Sequence, residues 1–315
     1  RTFLAMTGAS ALIAPFSADA AELDVDLVIV NALGGLSDPN PTDEPPSEER
    51  RRTLSDRVIA DARASGLTAV NTTLGHVFGD EPPFEQTVRE IARWEARLRS
   101  RPDDLMKVLT AGDILRAKRE HKIGIIYGFQ NSEMMEGDVT RARVFADLGV
   151  RVFQLTYNPA NAAGDGAMAP ANRGLTPFGR DLVERLNEIR VMVDLSHSGE
   201  RTCLEAARHS RAPISINHTG CRALTDLPRN KSDEQPRLVA SRGGFVGIYF
   251  MPSLSPDSLA TPDDVVAHID HAVNVCGEDH VGIGTDGGTT GIDDMQAFRA
   301  AMRIENAERR GPGIA

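Results

Sequence analysis

The sequence predicts an α/β fold built as a (β/α)8, TIM-like barrel, and three observations carry that prediction. Short β-branched runs alternate with helical patterns, and no two runs are joined by a short hairpin turn, which calls for a parallel sheet. The runs are apolar without interruption, as strands buried on both faces should be. Polar residues able to do chemistry recur at the ends of many runs, and neither GxGxxG nor GxxxxGK(S/T) follows the first. A closed barrel is therefore preferred to a doubly wound sheet, the other architecture this order of elements allows.

In chain order the strand candidates are "DLVIVN", "LTAVNTT", "LMKVLT", "IGIIYGFQ", "VRVFQLTY", "VMVDLSH", "PISINH", "FVGIYFM" and "VGIGTD". Between them lie amphipathic helical patterns such as "FEQTVREIARWEARLRS" and "PDDVVAHIDHAVNVC", whose apolar residues recur at helical spacing. The proline-rich "SDPNPTDEPPSEERRR", residues 37–52, reads as an exposed loop. After the last strand candidate the helix that would cover it is weakly represented or missing. The expectation is one barrel domain over residues 23–315, lacking its C-terminal end.

The first 22 residues stand apart. "RTFLAMTGASALIAPFSADAAE" offers an arginine, an apolar and small-residue stretch, and "ADA" before "AE", the order of a secretory signal with an A-x-A cleavage site. It resembles the remainder of a twin-arginine signal, so residues 1–22 are expected to direct export to the periplasm, with a membrane tether if the signal stays uncleaved. A net charge of −10 argues against a nucleic-acid partner. Three cysteines, Cys203, Cys221 and Cys276, show no CxxC spacing and are expected to be small packing residues rather than zinc thiolates.

The ends of the strand candidates present Asn31; Asn71, Thr72 and Thr73; Gln130 and Asn131; Thr156, Tyr157 and Asn158; then His197, His218 and Asp286. A barrel brings these to one rim. Two imidazoles on adjacent strands make half of a metal site, while a zinc centre ordinarily takes three or four protein ligands. Two histidines hydrogen-bonded at the mouth fit the same residues. Asp286, in "GIGTDGG", suits a general base and equally a helix cap or turn. Arg229, in "LPRNKSDEQ", has the fork geometry that clamps a carboxylate, and a loop arginine is also an ordinary solvated group. His121, His209, His268, His271 and His280 are not preferred as ligands.

The stretches "VMVDLSHSG", "PISINHTGCRAL", "PRNKSDEQ", "HVGIGTDGG" and "GLTPFGRDLVERLNEI" together resemble the membrane dipeptidase family, peptidase M19, over residues 25 to 300. The resemblance implies a barrel of the metal-dependent hydrolase type, a two-zinc centre at its mouth, and hydrolysis of dipeptides with a free carboxylate. It implies that His197 and His218 bind one zinc, that Arg229 binds the substrate carboxylate, and that Asp286 handles the proton of the attacking water. It also implies a His-x-Asp motif on the first strand, a bridging glutamate on a middle strand and a further histidine after Leu-Thr. Here Asn31 and Leu33 replace the motif, Gln130 the glutamate, and Tyr157 the histidine, which places Tyr157 among the substrate-binding residues. A divergent member with a depleted metal site is therefore expected, holding at most one zinc per chain or none.

Three functions are compatible with these residues. The first is an exported hydrolase of a dipeptide-like substrate. The second is a catalytically inactive binder of a peptide or protein partner, and the third a metal-free acid/base enzyme acting on a peptide-derived metabolite. Family members often form homodimers, so a homodimer is a further expectation.

Overall fold

The computed structural model describes residues 27–40, 47–257 and 259–300. The signal-like segment at 1–22 lies outside the described residues. Nine strands follow in order: β1 Ile29–Gly34, β2 Leu67–Thr73, β3 Leu105–Lys107, β4 Ile123–Phe129, β5 Val150–Gln154, β6 Met192–Asp194, β7 Ser215–Thr219, β8 Phe245–Ile248 and β9 Val281–Ile283. Every strand read from the sequence is present. Eight form the wall, in the order β1-β2-β4-β5-β6-β7-β8-β9, and β3 pairs with Ile123–Ile125 of β4 off that path. All the pairings are parallel.

The wall closes where β9 meets β1. Asp286 N donates to Leu33 O at 2.9 Å and Gly35 N to Gly287 O at 3.1 Å, and Gly35 and Gly288 form a parallel bridge. Closure removes the open sheet edges and gathers the C-terminal ends of the strands into one mouth. Gly284 is needed at this seam, because a Cβ there would lie 1.8 Å from Asn217 O.

Helices α1 Glu48–Arg51, α2 Asp56–Ala64, α3 Pro83–Ser100, α4 Ala111–Arg119, α5 Arg141–Asp147, α6 Pro177–Glu188, α7 Glu200–His209, α8 Glu234–Ser241 and α9 Pro262–Cys276 connect the strands. Their starts follow from the sequence. Thr110 with Asp113, and Thr261 with Asp264, form capping boxes; Thr176 accepts from Gly179 N, and Pro83, Pro177 and Pro262 sit in first turns, where a missing N–H costs nothing. One expectation needs correction: within 37–52, Glu48–Arg51 is a short helix, because Ser47 caps it and Glu48 and Glu49 precede Arg50 and Arg51, charges matched to the helix dipole. A second concerns the segment after β9, where residues 295–300 are helical and Phe298 is buried.

The main core lies between wall and helices. Phe129 meets Phe145 and Phe153 edge-on, with centroids 5.1 and 5.0 Å apart, and Trp94, Leu182, Val183, Val193 and Ile216 are buried around it. Cys203 and Cys221 are buried and all three cysteines are free. Burial pushes the Cys221 thiol up to about 12, as expected of packing residues. Inside the wall the pattern inverts, for Asn31, Asn71, Gln154 and Asp194 are buried polar groups. Their hydrogen bonds determine how the mouth is built.

Candidate active site at the barrel mouth

The β6 and β7 ends are tied together from below. Asp194 Oδ1 accepts from Ser196 N at 3.0 Å, Ser196 Oγ at 2.5 Å and Asn217 N at 3.0 Å, and Ser196 Oγ in turn accepts from His218 N at 3.0 Å. One buried carboxylate thus sets the register of the two strands that carry the histidines. Burial raises its pKa, against the pull of these donors.

His197 and His218 face each other with their Nε2 atoms 2.9 Å apart. His197 Nδ1 lies 2.7 Å from Asn158 Oδ1, and Tyr157 stacks on the His197 ring at 4.2 Å. With the amide oxygen as acceptor, Nδ1 of His197 carries the proton, its Nε2 accepts, and Nε2–H of His218 donates. That leaves Nδ1 of His218 a lone pair, buried with no partner among the described residues. Burial, followed by the charge of Arg229, holds both imidazoles well below the ordinary range, so both are neutral.

Arg229 comes to the histidine strands from the loop after β7. It donates from Nη1 to Ser196 O at 2.5 Å and from Nη2 to His218 O at 3.4 Å, and lies 5.7 Å over the Tyr249 ring. Carbonyls of the two histidine strands therefore aim a fork that has five N–H groups in all. Asp286 follows β9 with φ +56, the left-handed region that non-glycine residues seldom occupy. Strain of that kind gathers at functional sites. Asp286 is near enough to Tyr249 to help raise the phenol pKa, after burial as the main cause.

The positions where the resemblance calls for other ligands are differently engaged. Asn31 Nδ2 donates to Thr285 Oγ1 at 2.8 Å and Asn31 Oδ1 accepts from Thr285 N at 2.9 Å. Leu33 is 3% exposed and has no donor atom to offer. Gln130 Nε2 donates to Thr73 Oγ1 at 2.7 Å, and Gln130 O accepts from Gln154 Nε2. A two-zinc centre does not fit this donor set. A zinc-bound imidazole normally gives its second N–H to a carbonyl or carboxylate; His197 has Asn158 for that, whereas His218 has no such acceptor among the described residues. Among the described residues, no three His, Cys, Asp or Glu side chains converge as metal ligands would.

The structure brings His197, His218, Tyr157 and Arg229 together at one side of the mouth, and Asn31, Leu33 and Asp286 at the seam. Several neighbours carried no signal in the sequence. Tyr249 sat inside an apolar strand run. Lys231 looks like a surface lysine, yet it is 1% exposed, donates to Ser198 O at 2.5 Å and is brought down to about 8 by burial. His76 is buried with Nδ1 2.7 Å from Gln86 Oε1 and Nε2 2.9 Å from Glu133 Oε2. It anchors the loop from which Phe78 meets Tyr157 at 6.0 Å. A periodicity pattern cannot report such contacts, because they join segments distant in sequence. His268, by contrast, is a satisfied core histidine, accepting from Cys221 N and bonded to Leu254 O.

Residues 58–305 match the family model described as membrane dipeptidase, peptidase family M19. The dipeptidase tcpJ of Claviceps purpurea is 34% identical over 181 residues, covering 56% of this chain and 42% of that protein. The chain thus spans less than half of that relative's length. An amidohydrolase from Pseudomonas aeruginosa shares the fold with a TM-score of 0.73 and 34% identity, over 84% of this chain and 75% of that one. A metallopeptidase, dipeptidase AC, matches with a TM-score of 0.67 and 25% identity, over 78% of this chain and 82% of its own.

Proposed function

The chain belongs to the membrane dipeptidase family, peptidase family M19, and from that premise we propose that it hydrolyses a small peptide-like amide with a free carboxylate, with at most one zinc at the mouth. The observation that carries this reading is Arg229, held by Ser196 O and His218 O, the carbonyls of the residues at and beside the two histidines. A guanidinium placed there pairs with a carboxylate through two parallel hydrogen bonds. Tyr157, stacked on His197, supplies a flat wall beside the bound ligand. Asp286 takes a proton from water as its oxygen attacks the amide carbon. The carbon–nitrogen bond then breaks and the proton passes to the leaving amine, giving a carboxylic acid and an amine, which exchange a proton to leave a carboxylate and an ammonium.

A second reading is favoured by one specific observation. Asn31, Leu33 and Gln130, at the positions that would complete a two-metal centre, are packed or hydrogen-bonded to the wall. A binder that retains Arg229 but has no turnover fits them. Export through residues 1–22 belongs to both readings.

The test is a panel of dipeptides and their C-terminal amides, assayed for hydrolysis and for binding by calorimetry. Hydrolysis should require the free carboxylate. Arg229→Ala should weaken binding about 10- to 100-fold, the worth of a charge-assisted pair, and Asp286→Asn should abolish turnover with binding intact. Carboxylate-dependent binding without turnover would select the second reading. Binding indifferent to the carboxylate would overturn both.

A further inference from the structure

The amide of Asn31 makes a two-point contact that a ligand to a metal could not make. Its Oδ1 takes the backbone N–H of Thr285 at 2.9 Å and its Nδ2 gives to the Thr285 hydroxyl at 2.8 Å. A carboxamide carries acceptor and donor on one planar group and satisfies both with its side chain uncharged. The surroundings are shaped to this amide. A Cβ at Gly34 would lie 2.3 Å from Asn31 Nδ2 and 2.9 Å from Gly287 O, so the backbone comes close because the residue beside the amide is glycine. Immediately after Thr285, Asp286 N donates to Leu33 O at 2.9 Å, and Asp286 holds φ +56.

We propose that the Asn31–Thr285 contact is a metal-free clasp, in which the first-strand position closes the β1/β9 seam by hydrogen bonds and fixes the backbone carrying Asp286. Asn31 is on this reading a structural residue of the seam. It reaches Asp286 through two backbone links, one on each side of the seam. An ion at the same place would have to displace both bonds of a buried amide and would find in Leu33 no donor in exchange. The clasp rests on seam geometry and on no reaction, so failure of the proposed hydrolysis leaves it untouched.

The test is hydrogen exchange read by mass spectrometry on the full chain, untreated, with EDTA, and with added zinc. In the wild type, protection of residues 281–290 should be the same in all three. Asn31→Ala should speed exchange of the Thr285 and Asp286 amides about 10-fold or more, while protection over 191–219, across β6 and β7, stays unchanged. Thr285→Val, which removes the hydroxyl and leaves the backbone bond, should give a smaller increase and provides the reading if Asn31→Ala does not fold. Loss of protection with EDTA, or gain with zinc, would show an ion bridging the seam and overturn the clasp. So would unchanged exchange of 281–290 in a folded Asn31→Ala or Thr285→Val protein.

Discussion

The two halves of the barrel mouth make opposite use of equivalent positions. On β6 and β7, strand ends present His197 and His218 beside Arg229: His197 is held by Asn158, His218 is tied through Ser196 to the buried Asp194, and Arg229 is held by two backbone carbonyls. On β1 and after β4, strand ends present Asn31, Leu33 and Gln130, and each is turned into the wall as a clasp, a core residue or a strand-to-strand bond. The first half keeps groups that can meet a ligand. The second is structure, so one side of a barrel rim can close the wall while the other presents groups to a ligand.

The sharpest way to break that comparison is to put a ligand on the β1 side. Leu33→Asp buries a carboxylate where a side chain is 3% exposed, and should cost about 3–5 kcal/mol of stability, the range for an uncompensated buried charge. Urea unfolding measures it, and zinc should not restore the loss. Restoration by zinc would mean that the β1 side still forms an ion site.

Lys231 offers the next largest effect, on the retained side. Burial lowers its pKa from 10.5 to about 8, so between those values the unfolded chain binds a proton that the folded chain does not. Stability must then rise with pH across that window, by an amount on the order of 3 kcal/mol from the size of the shift. The rise should vanish in Lys231→Met. Identical pH curves for the two proteins would contradict the burial of this ammonium beneath Ser198.

The histidine pair predicts a change of the opposite placing. Both imidazoles are held below their ordinary pKa of 6.5 by burial, so below pH 6.5 the unfolded chain gains protons first and stability falls on acidification. A His197→Gln, His218→Gln double variant should show a flatter acid limb in thermal melts. The smallest effect belongs to Gln130→Ala, which removes the bond to Thr73 and should cost about 1 kcal/mol. A much larger cost, seen only when zinc is present, would reassign Gln130 to a ligand role.

The sequence made the wall legible because parallel strands buried on both faces read as apolar runs whatever their neighbours are; "VMVDLSH" and "PISINH" locate β6 and β7 without further help. It also exposed the contrast between the halves, since Asn31, Leu33 and Gln130 differ in type from His197 and His218. What it could not convey is partnership across the fold. Asn31 lies 254 positions from Thr285, so a polar residue ending a strand gave no sign that it was a clasp. Lys231 and Tyr249 were equally silent, because burial inside a mouth is set by closure of the whole barrel. The short helix Glu48–Arg51 escaped notice for a local reason, its Ser47 cap lying in a proline-rich segment.

The most direct measurement is zinc content by elemental mass spectrometry on protein purified without chelator, for the wild type and for Asn31→Ala. A mouth in which only the β6–β7 half can hold an ion predicts no more than one zinc per chain, unchanged by the Asn31 substitution. Two zincs per chain in the wild type would contradict it, and would mean that Asn31 and Gln130 give up their hydrogen bonds to bind metal.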